Sequence, residues 1–283
     1  MPDSFIHITD LHFWEIAFNP LRLLSKRALG NINVIMKRRH QFVMDRAWAY
    51  LEYINALDIK DVVITGDFAS TSTRFEFEEG VRFVQALEDA GKSITLIPGN
   101  HDVYTFETVR KKKFEKFFSR WLPNDRLPCT RSLPGGTPIV YVPTVCANLL
   151  SSKGRISDSE IEATVLSVEA LESPIIVAGH YPILNKTGAY DASSGRRLRN
   201  GDKLRTALGE TGKEILYICG HVHRFSDEID PVCPNIRQLT SGALFRTAPE
   251  TDSDGDFSVV RIDGSKVGVT RHLHKDGEWS TSE

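Results

Sequence analysis

The chain has 283 residues, 41% hydrophobic and 25% charged, a balance that suits a globular protein and excludes a low-complexity or fibrous one. Its formal net charge of −2 excludes a nucleic-acid binder that relies on bulk surface charge. No apolar run approaches the roughly 20 residues that cross a bilayer, and Met1-Pro2-Asp3 leads into no signal-type core. A cytoplasmic location is therefore expected, with peripheral contact at a membrane surface left open.

Phe5 to Thr9 reads as a short buried strand, with Asp10 and His12 just past its end. An insertion near 13–44 follows, in which Leu21, Leu23, Leu24, Leu29, Ile32 and Met36 alternate with cations such as Arg22, Lys26, Arg27 and Lys37. Two readings are open for it: a helix that packs its apolar side on the body, or an amphipathic cap that meets an acyl chain or an anionic membrane surface. Phe42 to Leu57 has helical periodicity, and Asp61 to Thr65 is a second strand that ends in Gly66-Asp67. A helix is predicted over Phe75 to Ala90, with Gly91 as its stop, then a strand over Ser93 to Ile97 that runs into Pro98-Gly99-Asn100-His101-Asp102. This strand–helix–strand rhythm predicts parallel strands with right-handed crossovers.

A Lys-rich helix is expected over Thr108 to Trp121, a loop over Leu122 to Pro138, a strand over Ile139 to Val145 and a helix over Asp158 to Leu171. Pro174 to Ala178 is a buried strand ending in Gly179-His180, and Glu214 to Ile218 is another, ending in Cys219-Gly220-His221-Val222-His223. From Asn235 to His274 the pattern alternates like antiparallel strands, with Asp263-Gly264 as a hairpin turn. Neither a repeat nor a separating linker is found, so one domain over 1–283 is expected. Cys129, Cys146, Cys219 and Cys233 form no CxxC pair, which predicts free thiols.

Five of these segments share one design: an apolar strand ends, often at a glycine, and presents Asp, Asn or His. The C-terminal edge of parallel strands is where α/β proteins gather ligands, because several loops converge there. Asp10, His12, Asp67, Asn100, His180, His221 and His223 form a mixed oxygen and nitrogen set suited to Mn, Fe, Zn or Co ions. The lack of thiolates argues against a structural zinc site.

The order Asp-x-His, Gly-Asp, Gly-Asn-His-Asp, His and Gly-His-x-His, running from Asp10 to His223, resembles the calcineurin-like metallophosphoesterase superfamily at every element. The resemblance implies an α/β (α+β) four-layer fold, with two mixed β-sheets sandwiched between helices. It implies two divalent metal ions, manganese foremost. Asp10, His12 and His223 would hold one, Asn100, His180 and His221 the other, and Asp67 would bridge both. Such a pair of cations acidifies a water and offsets charge on phosphoryl oxygens. His101 is then the expected proton donor to the leaving oxygen, with Asp102 orienting its imidazole.

Other residues have plainer accounts. His7 alternates with Phe5 inside the first strand and reads as a satisfied core histidine. His272 and His274 lack a strand-end glycine, and the Lys111–Lys113 run suits a solvated helix face. Gly91-Lys92-Ser93 stands between a helix and a strand, the wrong order for a phosphate loop. Asp252 to Asp256 lacks the glycine of a calcium loop, since Phe257 stands there.

The loop after His180 carries Arg196, Arg197 and Arg199, with Tyr190 nearby, and these four are expected to bind substrate through a second phosphate or a nucleotide. The run Ser25 to Asn33 resembles the branch containing UDP-2,3-diacylglucosamine hydrolases. That likeness implies cleavage of a lipid-linked nucleotide's pyrophosphate, releasing UMP and a lipid sugar phosphate. The expected partner is a small phosphorylated or lipid-linked nucleotide, with no nucleic acid. A cyclic nucleotide phosphodiesterase shares the motif order without needing an apolar cap. A metal-binding scaffold without turnover is the remaining alternative, weakened because every motif position is intact.

Overall fold

The computed structural model describes residues 2–15, 39–148, 151–248 and 253–283. Three predicted strands, β1 (Asp3–Ile8), β2 (Asp61–Ile64) and β3 (Ser93–Leu96), run parallel, with Phe5 opposite Asp61 and Asp61 opposite Ser93. Helices α1 (Arg46–Ala56) and α2 (Arg74–Asp89) connect them. Thr73 and Glu76 exchange side-chain and main-chain hydrogen bonds at the start of α2, a capping box that fixes where the helix begins.

The Lys-rich helix is broken. It forms α3 (Phe106–Arg110) and α4 (Lys113–Phe118), because Lys112 takes a left-handed φ of 48° that no helix continues through. The stretch expected as loop contains β4 (Cys129–Ser132), which pairs antiparallel with β5 (Pro138–Tyr141). The turn between them, closed by the Leu133 amide on the Thr137 carbonyl, makes a hairpin of residues whose Pro and Gly content reads as irregular.

The two-residue strands β6 (Gly154–Arg155) and β8 (Leu198–Arg199) pair in parallel. Helix α5 (Asp158–Glu169) precedes β7 (Ile175–Ala178), and α6 (Gly201–Glu210) precedes β9 (Ile215–Cys219). Helix α6 was not foreseen, since only Leu204 and Leu208 mark its buried face beyond Gly201. Strands β10 (Ser226–Ile229) and β11 (Ile236–Thr240) follow, and β11 pairs antiparallel with β10, as expected, but parallel with β9 on its other side. A period of two fixes a strand's faces and says nothing of its direction. The terminal hairpin of β12 (Gly255–Asp263) and β13 (Lys266–Lys275) is antiparallel as expected, with β14 (Glu278–Ser282) outside it.

The result is two six-stranded mixed sheets, ordered β14-β13-β12-β1-β2-β3 and β10-β11-β9-β7-β5-β4. Phe5, Val63, Tyr141, Ile176, Leu216 and Leu239 form the core shared by the two sheets. A second core, with Phe77, Phe83 and Leu87, lies under α1 and α2, and a third, with Val168, Leu204 and Leu208, lies under α5 and α6. Helices, sheet, sheet and helices make four layers. Truncating a buried ring such as Phe83 to Ala leaves a void, at a cost of about 3–5 kcal/mol. Most of the apolar-basic insertion near 13–44 lies outside the described residues. No described helix is long and apolar enough to cross a membrane.

Candidate metal centre

The seven ligand candidates stand just past the C-terminal ends of β1, β2, β3, β7 and β9. The loops that carry them are stitched together: the Asp10 amide donates to the Gly66 carbonyl at 3.0 Å, and the His12 amide to that of Asp67 at 2.8 Å. Within the second sheet, the Gly220 amide donates to the His180 carbonyl at 3.0 Å, joining the loops after β7 and β9. Asp10, His12, Asp67, His221 and His223 all have left-handed backbone, with φ between 51° and 71°. Asp and His tolerate that region better than most residues, yet it costs on the order of 1–3 kcal/mol each. Two glycines permit the crowding. A Cβ on Gly99 would lie 2.1 Å from Asp67 Oδ1, and one on Gly220 would lie 2.4 Å from Asp10 Oδ2.

Two sets of donor atoms converge. Asp10, His12, Asp67 and His223 each offer an atom within 4.8 Å of the others, and Asp67, His180 and His221 do the same. Asp10 Oδ1 lies 3.2 Å from His223 Nε2, and Asp67 Oδ2 lies 3.5 Å from His12 Nε2. The same Asp67 Oδ2 lies 3.4 Å from His180 Nε2, so one oxygen faces both sets. Asn100 Oδ1 joins the second, 2.8 Å from His221 Nδ1 and 3.1 Å from His180 Nε2. Separations near 3 Å suit donors that each stand roughly 2.0–2.2 Å from a common ion.

Hydrogen bonding satisfies one oxygen of each carboxylate and leaves the other. Asp10 Oδ2 accepts from Thr9 Oγ1 at 3.0 Å and the His221 amide at 2.9 Å, while Asp67 Oδ1 accepts from the His101 amide at 2.7 Å. Asp10 Oδ1 and Asp67 Oδ2 are buried without a hydrogen-bond partner. Leaving two such oxygens unpaired is costly unless a cation meets them. His12 Nε2 and His223 Nε2 also stand 2.9 Å apart, close enough to share a proton or a common cation. The residues present fit a pair of metal ions.

Main-chain carbonyls fix the imidazoles. His12 Nδ1 lies 3.2 Å from the Ala69 carbonyl, His180 Nδ1 2.8 Å from that of Thr65, and His221 Nε2 2.9 Å from that of Arg196. Each ring donates to its carbonyl and turns the opposite nitrogen to the centre. Burial, then the charge of His180, pulls His221 down to about 3, which keeps it a neutral donor. Burial acts on His180 in the same sense, but the Asp67 carboxylate overrides it and lifts that ring to about 9. Burial also disfavours the charges of Asp10 and Asp67, yet the surrounding imidazoles hold both below the usual carboxylate range. The carboxylates call for positive charge, which protons supply here and metal ions would supply in their place.

A family model described as calcineurin-like phosphoesterase matches residues 4–225. The chain belongs to that family. It is a metallophosphoesterase, a hydrolase of phosphoester bonds. Its fold is similar to that of a dimetal phosphatase from Danio rerio, with a TM-score of 0.58 at 14% identity over 99% of each chain. It is also similar to the purple acid phosphatase PPD1 from yellow lupin (Lupinus luteus) seeds, with a TM-score of 0.60 at 13% identity, over 99% of this chain and 53% of that one. A comparison with curated proteins finds no match.

The phosphoesterase places His101 beside the first cluster, its ring 5.0 Å from that of His12 and stacked on Tyr104 at 5.3 Å. Asp102 does not orient that ring, contrary to expectation. Its carboxylate accepts the amides of Asp67, Gly99 and Ala69 at 2.8–2.9 Å, so it braces the loops after β2 and β3. Burial and the adjacent Asp67 charge push it up to about 8. The Ser70 carbonyl, 2.7 Å from His101 Nδ1, fixes the ring instead.

The expected substrate contacts divide. Arg196 and Tyr190 line one cavity, but the Tyr190 hydroxyl donates to the Leu184 carbonyl at 2.9 Å and accepts from Gln238, which leaves only its ring for a ligand. Arg197 Nε donates to the Ala192 carbonyl at 2.7 Å, and Arg199 stands on β8 opposite Arg155; neither lines that cavity. Phe42, edge-on to His12 at 4.7 Å and His223 at 5.6 Å, walls the first cluster and was not foreseen as part of the site. Nor was Arg224, although a cation directly after the Gly-His-x-His run was a signal to follow. His7 is satisfied by Thr65 and Ser241, while His272 stacks on Phe257 and His274 meets the Tyr50 hydroxyl, so all three are structural.

Proposed function

We propose that this phosphoesterase works with two divalent cations, manganese foremost. Asp10, His12, Asp67 and His223 would hold one, and Asp67, Asn100, His180 and His221 the other. The observation that carries the reading is the pair of buried carboxylate oxygens, Asp10 Oδ1 and Asp67 Oδ2, turned into the two clusters without hydrogen-bond partners. When bound, such cations acidify a water and neutralise charge on phosphoryl oxygens. His101 supplies the proton. Its Nδ1 donates to the Ser70 carbonyl, so Nε2 is the nitrogen that takes up and releases a proton at the leaving oxygen. The strained loops and their cross-stitching hold ligands and donor in place before substrate arrives.

As substrate we propose the pyrophosphate of UDP-2,3-diacylglucosamine, a lipid A precursor, in a cytoplasmic enzyme that touches the membrane surface peripherally. Its support is the likeness of Ser25 to Asn33 to that branch, together with the apolar-basic character of the insertion. Asp67→Asn tests the centre. Wild-type protein reconstituted with manganese should carry two equivalents per chain, and the variant should lose metal and at least about 10³-fold in turnover, roughly 4 kcal/mol of barrier. A variant that keeps both ions and full rate would sink the reading. Offering UDP-2,3-diacylglucosamine, cyclic AMP and an aryl phosphodiester side by side decides the substrate: UMP from the lipid nucleotide alone is expected, and AMP from cyclic AMP overturns the choice.

A further inference from the structure

A cavity of about 260 Å³, lined by Arg196, Arg224, Tyr190, Asp191 and Val222 among others, adjoins the metal centre. Two links tie it there. Val222 is the residue between His221 and His223, and the Arg196 carbonyl is the one that His221 Nε2 meets at 2.9 Å. The cavity is therefore built from the same two loops that present three of the ligand candidates, His180 included.

Its charge is unbalanced. Among the described residues neither Arg196 nor Arg224 has a carboxylate partner, while Asp191, the one acid of the lining, lies 3.6 Å from Arg197. Arg224 Nη1 donates to the Ala189 carbonyl at 3.1 Å, which fixes that guanidinium and leaves its remaining N–H groups for a ligand. Tyr190 adds a ring and no free hydroxyl. Two guanidiniums beside an apolar wall suit an anion with several acceptor oxygens, which arginine grips in paired hydrogen bonds. The volume is several times the roughly 30 Å³ that a water occupies in the liquid, enough for a phosphoryl group and part of what it is attached to.

We propose that this cavity takes a second phosphoryl group of the substrate, so that the enzyme selects compounds with two neighbouring phosphates over simple esters. The inference rests on the two-cation reading of the adjoining centre. Arg224 and Arg196 determine specificity; the cations and His101 act on the scissile phosphate.

The test compares binding of methylenediphosphonate and methylphosphonate to manganese-loaded protein by calorimetry, with competition against p-nitrophenyl phosphate as a second readout. Wild-type protein should bind the bisphosphonate at least about tenfold more tightly, and Arg196→Gln combined with Arg224→Gln should erase most of that ratio. Arg224→Lys should keep part of it, since the charge remains while the paired geometry is lost. Melting temperature and metal content are followed in each variant, because Arg196 also supports His221. Should the double variant lose metal, Arg224→Gln alone decides by the same ratio. A ratio that persists undiminished means that the cations alone favour the bisphosphonate, and the proposal fails. Equal binding of both phosphonates by wild type also overturns it. A protein that takes up no metal and binds neither compound removes the two-cation reading, and this one with it.

Discussion

The two ligand clusters share Asp67 and differ in almost everything else. The first has two carboxylates, and one of its imidazoles, His223, is 20% exposed. Phe42 and His101 stand beside it, so this is the side that faces both solvent and the proposed proton donor. The second has the shared carboxylate, a neutral amide oxygen from Asn100 and two buried imidazoles. Tyr181 closes over it, 4.0 Å from the His221 ring. Formal charge favours a cation in the first cluster, whereas burial slows exchange from the second. One centre thus joins a site built for access to a site built for retention.

That contrast can be broken most directly by removing one imidazole at a time. His221→Ala and His223→Ala should each cost one metal equivalent and nearly all turnover, but brief dialysis of wild type against a chelator should release one equivalent well before the other. Simultaneous release of both would erase the distinction. A smaller effect is expected at His101, which serves the open side without holding metal. His101→Ala should slow turnover by about 10²–10⁴-fold and leave both equivalents bound; lost metal in that variant would remove its role as acid.

The smallest effect lies outside both clusters and serves as their control. Asp230 is buried against Arg205. Burial raises its carboxyl, but the Arg205 hydrogen bond, the Val232 and Cys233 amides and the Arg205 charge together outweigh that and leave it below the usual value. A depressed native value means the pair stabilises the fold fully above the unfolded carboxyl's pKa of about 3.9, and that this is lost as pH falls through the native value. Asp230→Asn should therefore cost about 1.5–3 kcal/mol near neutrality, and the gap to wild type should close on acidification, with metal content unchanged. A gap that widens in acid would contradict the assignment.

The metal candidates were legible because each one ends an apolar strand, and β1, β2 and β3 could be placed parallel from the helices between them. The direction of β11 against β9 could not, since alternation is the same for either sense. Helix α6 shows too few apolar positions to announce itself, and the break at Lys112 leaves no mark in a run of lysines. The site had a similar blind side. Which nitrogen of His12, His180 and His221 faces the centre depends on the carbonyls of Ala69, Thr65 and Arg196, and a carbonyl is present at every position of every chain. Asp102 misled for a related reason: adjacency to His101 suggested a partner, whereas the carboxylate turns back onto the amides of Asp67, Gly99 and Ala69.

The hydrogen bond from the His101 amide to Asp67 Oδ1 means that the residue proposed to share itself between two ions is anchored by the very peptide that carries the proposed proton donor. Loss of the Asp67 carboxylate therefore also frees the peptide that positions His101, so a rate loss measured at position 67 includes a displaced imidazole, whereas His101→Ala keeps the amide and leaves Asp67 anchored.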